Sequence, residues 1–284
     1  MTLWATVFGA ICVQATPFVV LGVLLSTVLA ATPVGWLPGL LPRRPAFAVP
    51  VCGLAGTALP GCACGSVPAA AALMSRGVPA GPATAFMICA PSANPVVLAA
   101  TAAAYPGEPM VVGARFAAAL LLASCVGWLT SVDRLGRPRP AEPDRPHHAH
   151  GHSLTGLVGL AADDALRSLG LLAAGAAAAA TLVVWLPRGL LAGLADRPLL
   201  SVVALAMLAT LLSVCSQADA FIARTFVGFS RTAQLAFMVV GPAVDVKLAA
   251  MQTATFGARF TGRFVLLTFV VAIAAAVVAA GVLL

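Results

Sequence analysis

Apolar residues run along this chain in long, nearly unbroken blocks, and polar positions gather in the short gaps between them. Thr2 to Ala31 is the first block, with Pro17 inside it. Ala46 to Leu59 follows, running into a Pro60–Pro68 interruption and a half-helix to about Met74. Ala80 to Ala103 is interrupted at Pro91 and Pro95, and Met110 to Thr130 closes the first half. Blocks near 20 apolar residues match a helix crossing a bilayer, whereas a membrane barrel would show short alternating segments. The pattern predicts an all-α polytopic membrane protein.

The second half repeats the first. Leu21-Gly22 returns as Leu169-Gly170, and Trp36-Leu37-Pro38 as Trp185-Leu186-Pro187. Arg44-Pro45 matches Arg197-Pro198, and Cys64 matches Cys215. Ala85-Phe86-Met87 with Pro91 matches Ala236-Phe237-Met238 with Pro242, and Gly113-Ala114-Arg115-Phe116 matches Gly257-Ala258-Arg259-Phe260. The order is kept at an offset of about 150 residues. The chain therefore divides into a first transmembrane repeat (1–131), a polar linker (132–153) and a second transmembrane repeat (154–284). About eight transmembrane helices in two four-helix repeats are expected, with broken helices at the centre and the site between repeats. Four spans per repeat would bring both halves in from the same side; an extra crossing at the Pro60–Pro68 interruption would invert them.

Composition supports a membrane protein. Of 284 residues, 61% are hydrophobic and only 9% charged, against about 25% charged in soluble domains. The net charge of +7 comes from basic residues scattered at block ends, which excludes a nucleic-acid footprint and leaves the lipid bilayer as the partner. A homo-oligomer is compatible with the pattern. The N-terminal block lacks a basic leader and exceeds the roughly 7–15 apolar residues of a signal peptide, so it reads as a span. Arg76, Arg224, Arg231 and the linker arginines fall on one side in an eight-span arrangement. By the positive-inside rule, the linker and both termini are expected in the cytoplasm, under an inner (cell) membrane.

The candidate chemistry centres on Gly61 to Pro95. Cys62 and Cys64 flank one residue beside Gly65 and Pro68. Broken backbone at membrane depth is tolerated where protein buries it or where it lines a cavity. Thiolates there bind soft cations and trivalent arsenic-type centres. Cys89 precedes the breaks at Pro91 and Pro95, and Cys215 stands at the position of Cys64, so the four thiols are candidates for one cavity. The second repeat adds charge: Asp219 at the position of Pro68, Asp245 at that of Asn94, and Lys247. A charge at mid-bilayer costs about 2.5–3.5 kcal/mol on insertion scales and marks function by default. Asn94 follows Pro91, and Asp245 follows Pro242, by one turn, so with the carbonyls the prolines free they form a candidate substrate or proton site; the alternative is an internal Asp–Lys or Asp–Arg pair that only holds the bundle together. Helical spacing puts Lys247 on the opposite face from Asp245, against a direct pair. Arg115 and Arg259 open their helices and are expected to anchor at the interface. The linker cluster His147, His148, His150 and His152 would bind a soft or borderline metal weakly; the alternative is a solvated loop. No cofactor is implied.

The motif Pro60-x-Cys62-x-Cys64-Gly65-x-Val67-Pro68, followed by Gly77, Phe86 and Pro91-x-x-Asn94-Pro95, resembles the ArsP/YraQ-type predicted permeases. So does Ser216-x-x-Asp219-Ala220-Phe221 with Phe237 and Gly241-Pro242-x-x-Asp245-x-Lys247. The resemblance covers essentially the whole chain outside the linker. It implies a bacterial inner-membrane permease, with efflux of trivalent organoarsenicals among its relatives and copper or zinc export among those with His-rich loops. It also implies that Cys62 and Cys64 handle substrate. No ATP-binding motif is present, so energy would come from an ion gradient or a partner protein. Two rival readings remain: a membrane-embedded thiol oxidoreductase using Cys62 and Cys64, and a non-transporting sensor or assembly protein with the linker as its input.

Overall fold

The computed structural model describes residues 44–58, 63–132, 197–214, 216, 218–226 and 228–284, with isolated positions within 4–42 and 159–181. The side chains of Ala63 and Cys64 are outside that description. The first expected span and the linker with its histidines lie largely or wholly outside the described residues.

Among the described residues, ten helices carry the fold: α1 (Pro45–Thr57), α2 (Ala63–Ser75), α3 (Ala80–Ser92), α4 (Pro95–Ala104), α5 (Pro109–Ser131), α6 (Pro198–Leu212), α7 (Asp219–Thr225), α8 (Arg231–Ala243), α9 (Val246–Phe256) and α10 (Ala258–Leu283). Among the described residues there is no strand. Proline opens α1, α4, α5 and α6, where its missing N–H is unneeded and its φ is already helical. Among the described residues, four segments are long and apolar enough to cross a membrane: Ala80–Ala104 (α3–α4), Pro109–Ser131 (α5), Arg231–Phe256 (α8–α9) and Ala258–Leu283 (α10).

The direction of each helix follows from close contacts. Gly81 packs on Gly127 and Ser131, Cys89 Sγ lies 3.7 Å from the Ala119 carbonyl, and Arg115 reaches the Ser92 carbonyl. α5 therefore runs antiparallel to α3–α4. Val49 lies against Gly127, Gly53 against Ala85 and Cys89, and Gly56 against Phe86 and Ala90, so α1 runs parallel to α3. A Cβ on Gly56 would sit 2.8 Å from the Phe86 carbonyl oxygen. Glycine is required for that approach, as is usual between packed membrane helices. α2 ends at a turn in which Gly77, at φ +87°, donates to the Met74 carbonyl at 3.0 Å and Val78 to the Leu73 carbonyl at 3.1 Å. Four residues (76–79) separate α2 from the start of α3.

α1 and α2 thus form a hairpin whose two outer ends lie at the Gly81 edge. Each helix has 13 residues, about 20 Å at the usual rise and short of a core about 30 Å thick. Too short to cross singly, α1 and α2 turn back on each other, and the end of α1 lies beside Phe86 and Ala90, near the middle of α3–α4. Gly65 and Pro68, expected as breaks, lie inside the continuous α2, and the interruption falls before them.

A Cβ on Gly241 would lie 3.6 Å from Ala209 Cβ, and Lys247 meets Ser213, so α6 runs parallel to α8. Ser213, at φ 46°, ends α6, and the short α7 leads back to the start of α8. That outer end lies beside the α4–α5 turn, because Arg231 Nη2 and Arg224 Nη1 bond Glu108 Oε1 at 2.7 and 3.3 Å. The end of α3–α4 and the start of α8–α9 therefore share one edge, the Glu108 edge, and these two segments run in opposite directions.

Candidate functional site

Both long broken segments break at a capped step. Asn94 is extended (φ −74°, ψ 162°), as a residue before proline must be, and Pro95 starts α4. Its amide oxygen accepts from Val97 N at 2.9 Å, and its Nδ2 donates to the Ala90 carbonyl at 2.8 Å. Asp245 is extended as well (φ −133°, ψ 165°), and its Oδ1 accepts from Leu248 N at the start of α9. Pro91 and Pro242 sit in the last turn of α3 and α8, ahead of the breaks rather than in them.

Asp245 being a cap rather than a helical residue alters its neighbours. Lys247 Nζ lies 3.5 Å from Asp245 Oδ2 and donates to the Ser213 carbonyl at 2.6 Å. The expectation that these two residues face apart is thereby overturned: helical spacing does not hold across a break. Val246 N also donates to Ser213 Oγ at 3.1 Å, so the α6 end and the α8–α9 break are tied together. Asp245 and Lys247 are 2% and 5% exposed.

Asp219, the first residue of α7, is also buried. Its partner was not anticipated. Arg115 is fully buried, not anchored at an interface as its place in the sequence suggests. Its Nη1 and Nη2 grip Asp219 Oδ1 and Oδ2 at 2.8 and 2.7 Å. Nη1 also donates to Thr101 Oγ1 (2.9 Å), Nη2 to the Ser216 carbonyl (3.3 Å) and Nε to the Ser92 carbonyl (3.4 Å). All five donors of the guanidinium are used. Such a forked, charge-assisted pair is stronger than neutral hydrogen bonds, and it joins α3, α4 and α5 to the start of α7. The signal that could have found it is the N1 proline at 109, which sets Arg115 seven residues into α5, together with an intramembrane Asp219 lacking a local cation.

The Glu108 edge closes over this pair. Arg224 and Arg231 flank the Tyr105 ring, their guanidinium carbons 5.2 and 5.4 Å from its centroid, within cation–π range. Tyr105 donates to Gln234 Oε1 at 3.0 Å, which Arg231 Nη1 also bonds at 2.9 Å, while Gln234 Nε2 donates to the Phe226 carbonyl. Burial pushes the Tyr105 phenol up to about 12, against the lowering by Arg231 and Arg224. The phenol therefore stays protonated and donating at neutral pH.

Among the thiols, Cys89 is fully buried where α3 meets α1 and α5. Cys64 lies in the first turn of α2. Cys62 and Cys215 lie outside the described residues, as do His147, His148, His150 and His152. Among the described residues no group of three metal-ligating side chains forms.

A family model of the ArsP type, described as a predicted permease, matches residues 2–281. The UPF0718 protein YcgR of Bacillus subtilis (strain 168) is 35% identical over 275 residues, spanning 94% of this chain and 93% of its own length. A Streptococcus mutans serotype c protein, named for a two-component membrane permease complex of which it is a subunit, is 30% identical over 268 residues, 91% of this chain and 89% of its own. No solved structure gives a significant match.

Proposed function

This chain belongs to the predicted permease family, and on that premise we propose that it exports a soft, thiol-reactive solute by alternating access. The observation that carries the reading is the meeting of the short helices α1, α2, α6 and α7 with two capped helix breaks, with Arg115, Asp219, Asp245 and Lys247 buried among them. Intramembrane charge is costly and is kept where solutes or protons pass. Cys62, which precedes α2 in the sequence, and Cys64, in the first turn of α2, are the capturing thiols. A trivalent organoarsenical bound there exchanges each As–O bond for As–S, and the thiol proton leaves with the hydroxide as water. A soft metal ion is the alternative cargo, entering as the thiolates form. Asp245, paired with Lys247, couples release to an ion gradient; a second subunit, as the streptococcal relative's name suggests, is the alternative source of energy. Asp219 serves the fold, since Arg115 already occupies it.

The two halves are inverted repeats in this reading. Each contributes one re-entrant hairpin and a broken span, and the broken spans run oppositely. Counting the block at 2–31 and its counterpart near 154–186 as spans gives six crossings and two hairpins, not eight crossings. The linker then leaves from the Gly81 edge and α10 ends at the other, so linker and C-terminus face opposite sides. That departs from the common cytoplasmic placement expected from arginine positions.

The test is uptake of trivalent methylarsenical, zinc or copper into everted vesicles, with wild type compared to Cys62→Ser/Cys64→Ser. Uptake that needs both cysteines supports the proposal. Equal uptake without them removes the thiols from the mechanism, and no uptake of any soft solute removes the substrate class.

A further inference from the structure

Among the described residues, buried polar atoms without a hydrogen-bond partner occur on Arg76, Ser216, Gln252, Thr261 and Thr268, and the last three of these residues lie together on the last two helices. Gln252, on α9, is 1% exposed with neither amide atom bonded. Thr261 and Thr268, on α10, are also buried with unbonded hydroxyls. The other buried threonines behave differently: Thr84, Thr101 and Thr130 each donate to a carbonyl of their own helix at 2.8 Å. A polar group left unpaired in an apolar interior is costly, and native proteins rarely keep one without a use.

Their placement is ordered. Thr261 and Thr268 are seven residues apart, on one face of α10. α9 and α10 are joined by Gly257 alone, at φ +87°, and the two helices pack on each other. Successive spans run oppositely, so Gln252 and Thr261 lie at similar depth near the Gly81 edge. Thr268, about 15 Å into α10, lies near the depth of Asp245, about 16 Å from the same end of α9. The three residues thus mark a line from the Gly81 edge to the Asp245–Lys247 break. α9 also packs against α2, the helix that carries Cys64.

We propose that Gln252, Thr261 and Thr268 are the hydrogen-bonding lane of the solute path, and that it takes a small uncharged solute bearing hydroxyl groups. An amide and two hydroxyls offer donors and acceptors but no charge. A bare cation would call for carboxylate or thiolate ligands along the way, and Gln252, Thr261 and Thr268 supply none short of Asp245. The proposal rests on the permease reading and narrows it: the solute reaches the thiols with its hydroxyls still attached.

The experiment uses full-length Gln252→Leu/Thr261→Val in everted vesicles, with uncharged trivalent methylarsenical hydroxide as the probe, and the melting temperature of the purified protein. Uptake is expected to fall at least tenfold while the melting temperature holds or rises, because replacing an unpaired buried polar group by an apolar one is neutral or stabilising. Unchanged uptake, or a fall in uptake that merely tracks a lower melting temperature, overturns the lane. Labelling of Thr261→Cys by a membrane-impermeant maleimide, above the wild-type background, reads the lane without transport. Labelling from the Gly81 side is expected, and its absence overturns the proposal. If wild type moves no probe yet Thr261→Cys labels, the permease reading falls and the lane stands.

Discussion

The same four residues, Gly-Ala-Arg-Phe, occur at 113–116 and at 257–260, and their arginines meet opposite fates. Arg115 is fully buried and bonds five acceptors; Arg259 is exposed. Two things separate them. α5 starts at Pro109, so Arg115 is its seventh residue, whereas Arg259 is the second residue of α10. Arg115 also meets Asp219 from the other half, while the corresponding place in the first half holds Pro68. A third difference follows. Thr101, seven residues past the Asn94 cap, accepts from Arg115; Gln252, seven past the Asp245 cap, has no partner among the described residues. Charge placed in one half thus seals one end of the bundle and leaves the other end's polar groups uncommitted.

The sealed corner breaks most easily at its acid. Asp219→Ala leaves Arg115 buried and unpaired, and about 3–5 kcal/mol of stability is expected to go. Thermal unfolding in detergent measures it, and Arg115→Met with Asp219→Leu should recover most of the loss, since apolar replacement of a buried pair is often neutral. Near-wild-type stability of the single variant would mean the pair contributes little.

The two breaks can be made alike by Asp245→Asn. Asparagine caps as well as aspartate, and Asn94 already does so, so the fold should hold with a melting temperature close to wild type. Uptake is expected to lose its dependence on pH, because the carboxylate beside Lys247 is gone. A variant with wild-type pH dependence would take Asp245 out of coupling.

Smaller effects belong to the edges. Glu108→Gln removes the shared acid of Arg224 and Arg231, which are 44% and 38% exposed at their side chains; partly exposed pairs of this kind are worth about 0–1 kcal/mol each. Arg259→Gln should change stability by less than about 0.5 kcal/mol. A large loss there would mean that its exposure in this structure understates its contacts.

Much of this was legible in the sequence, for physical reasons that also mark where legibility stops. Long apolar blocks and helix-breaking prolines announced the polytopic bundle, and Asp219, Asp245 and Lys247 stood out because charge in apolar blocks is rare. Arg115 did not, since an arginine near a helix start looks like an interface anchor until the start itself is fixed. The Asp245–Lys247 pair was hidden because a helical wheel assumes an unbroken helix. Whether the chain crosses or turns back after α1 stayed open in the sequence because α1 and α2 together have the length of a span; only the contacts of Gly53 and Gly56 with α3 show that α1 and α2 turn back.

The opposed direction of the two halves is the central claim, and sidedness tests it most directly. Val132, just before the linker, and Leu284, at the end of α10, are both exposed. Each would be replaced by cysteine in the full chain and labelled with a membrane-impermeant maleimide in right-side-out and in everted vesicles, against the wild-type background. The account predicts that the two positions label from opposite sides. Labelling of both from one side would contradict it and restore an arrangement in which the halves enter the membrane alike.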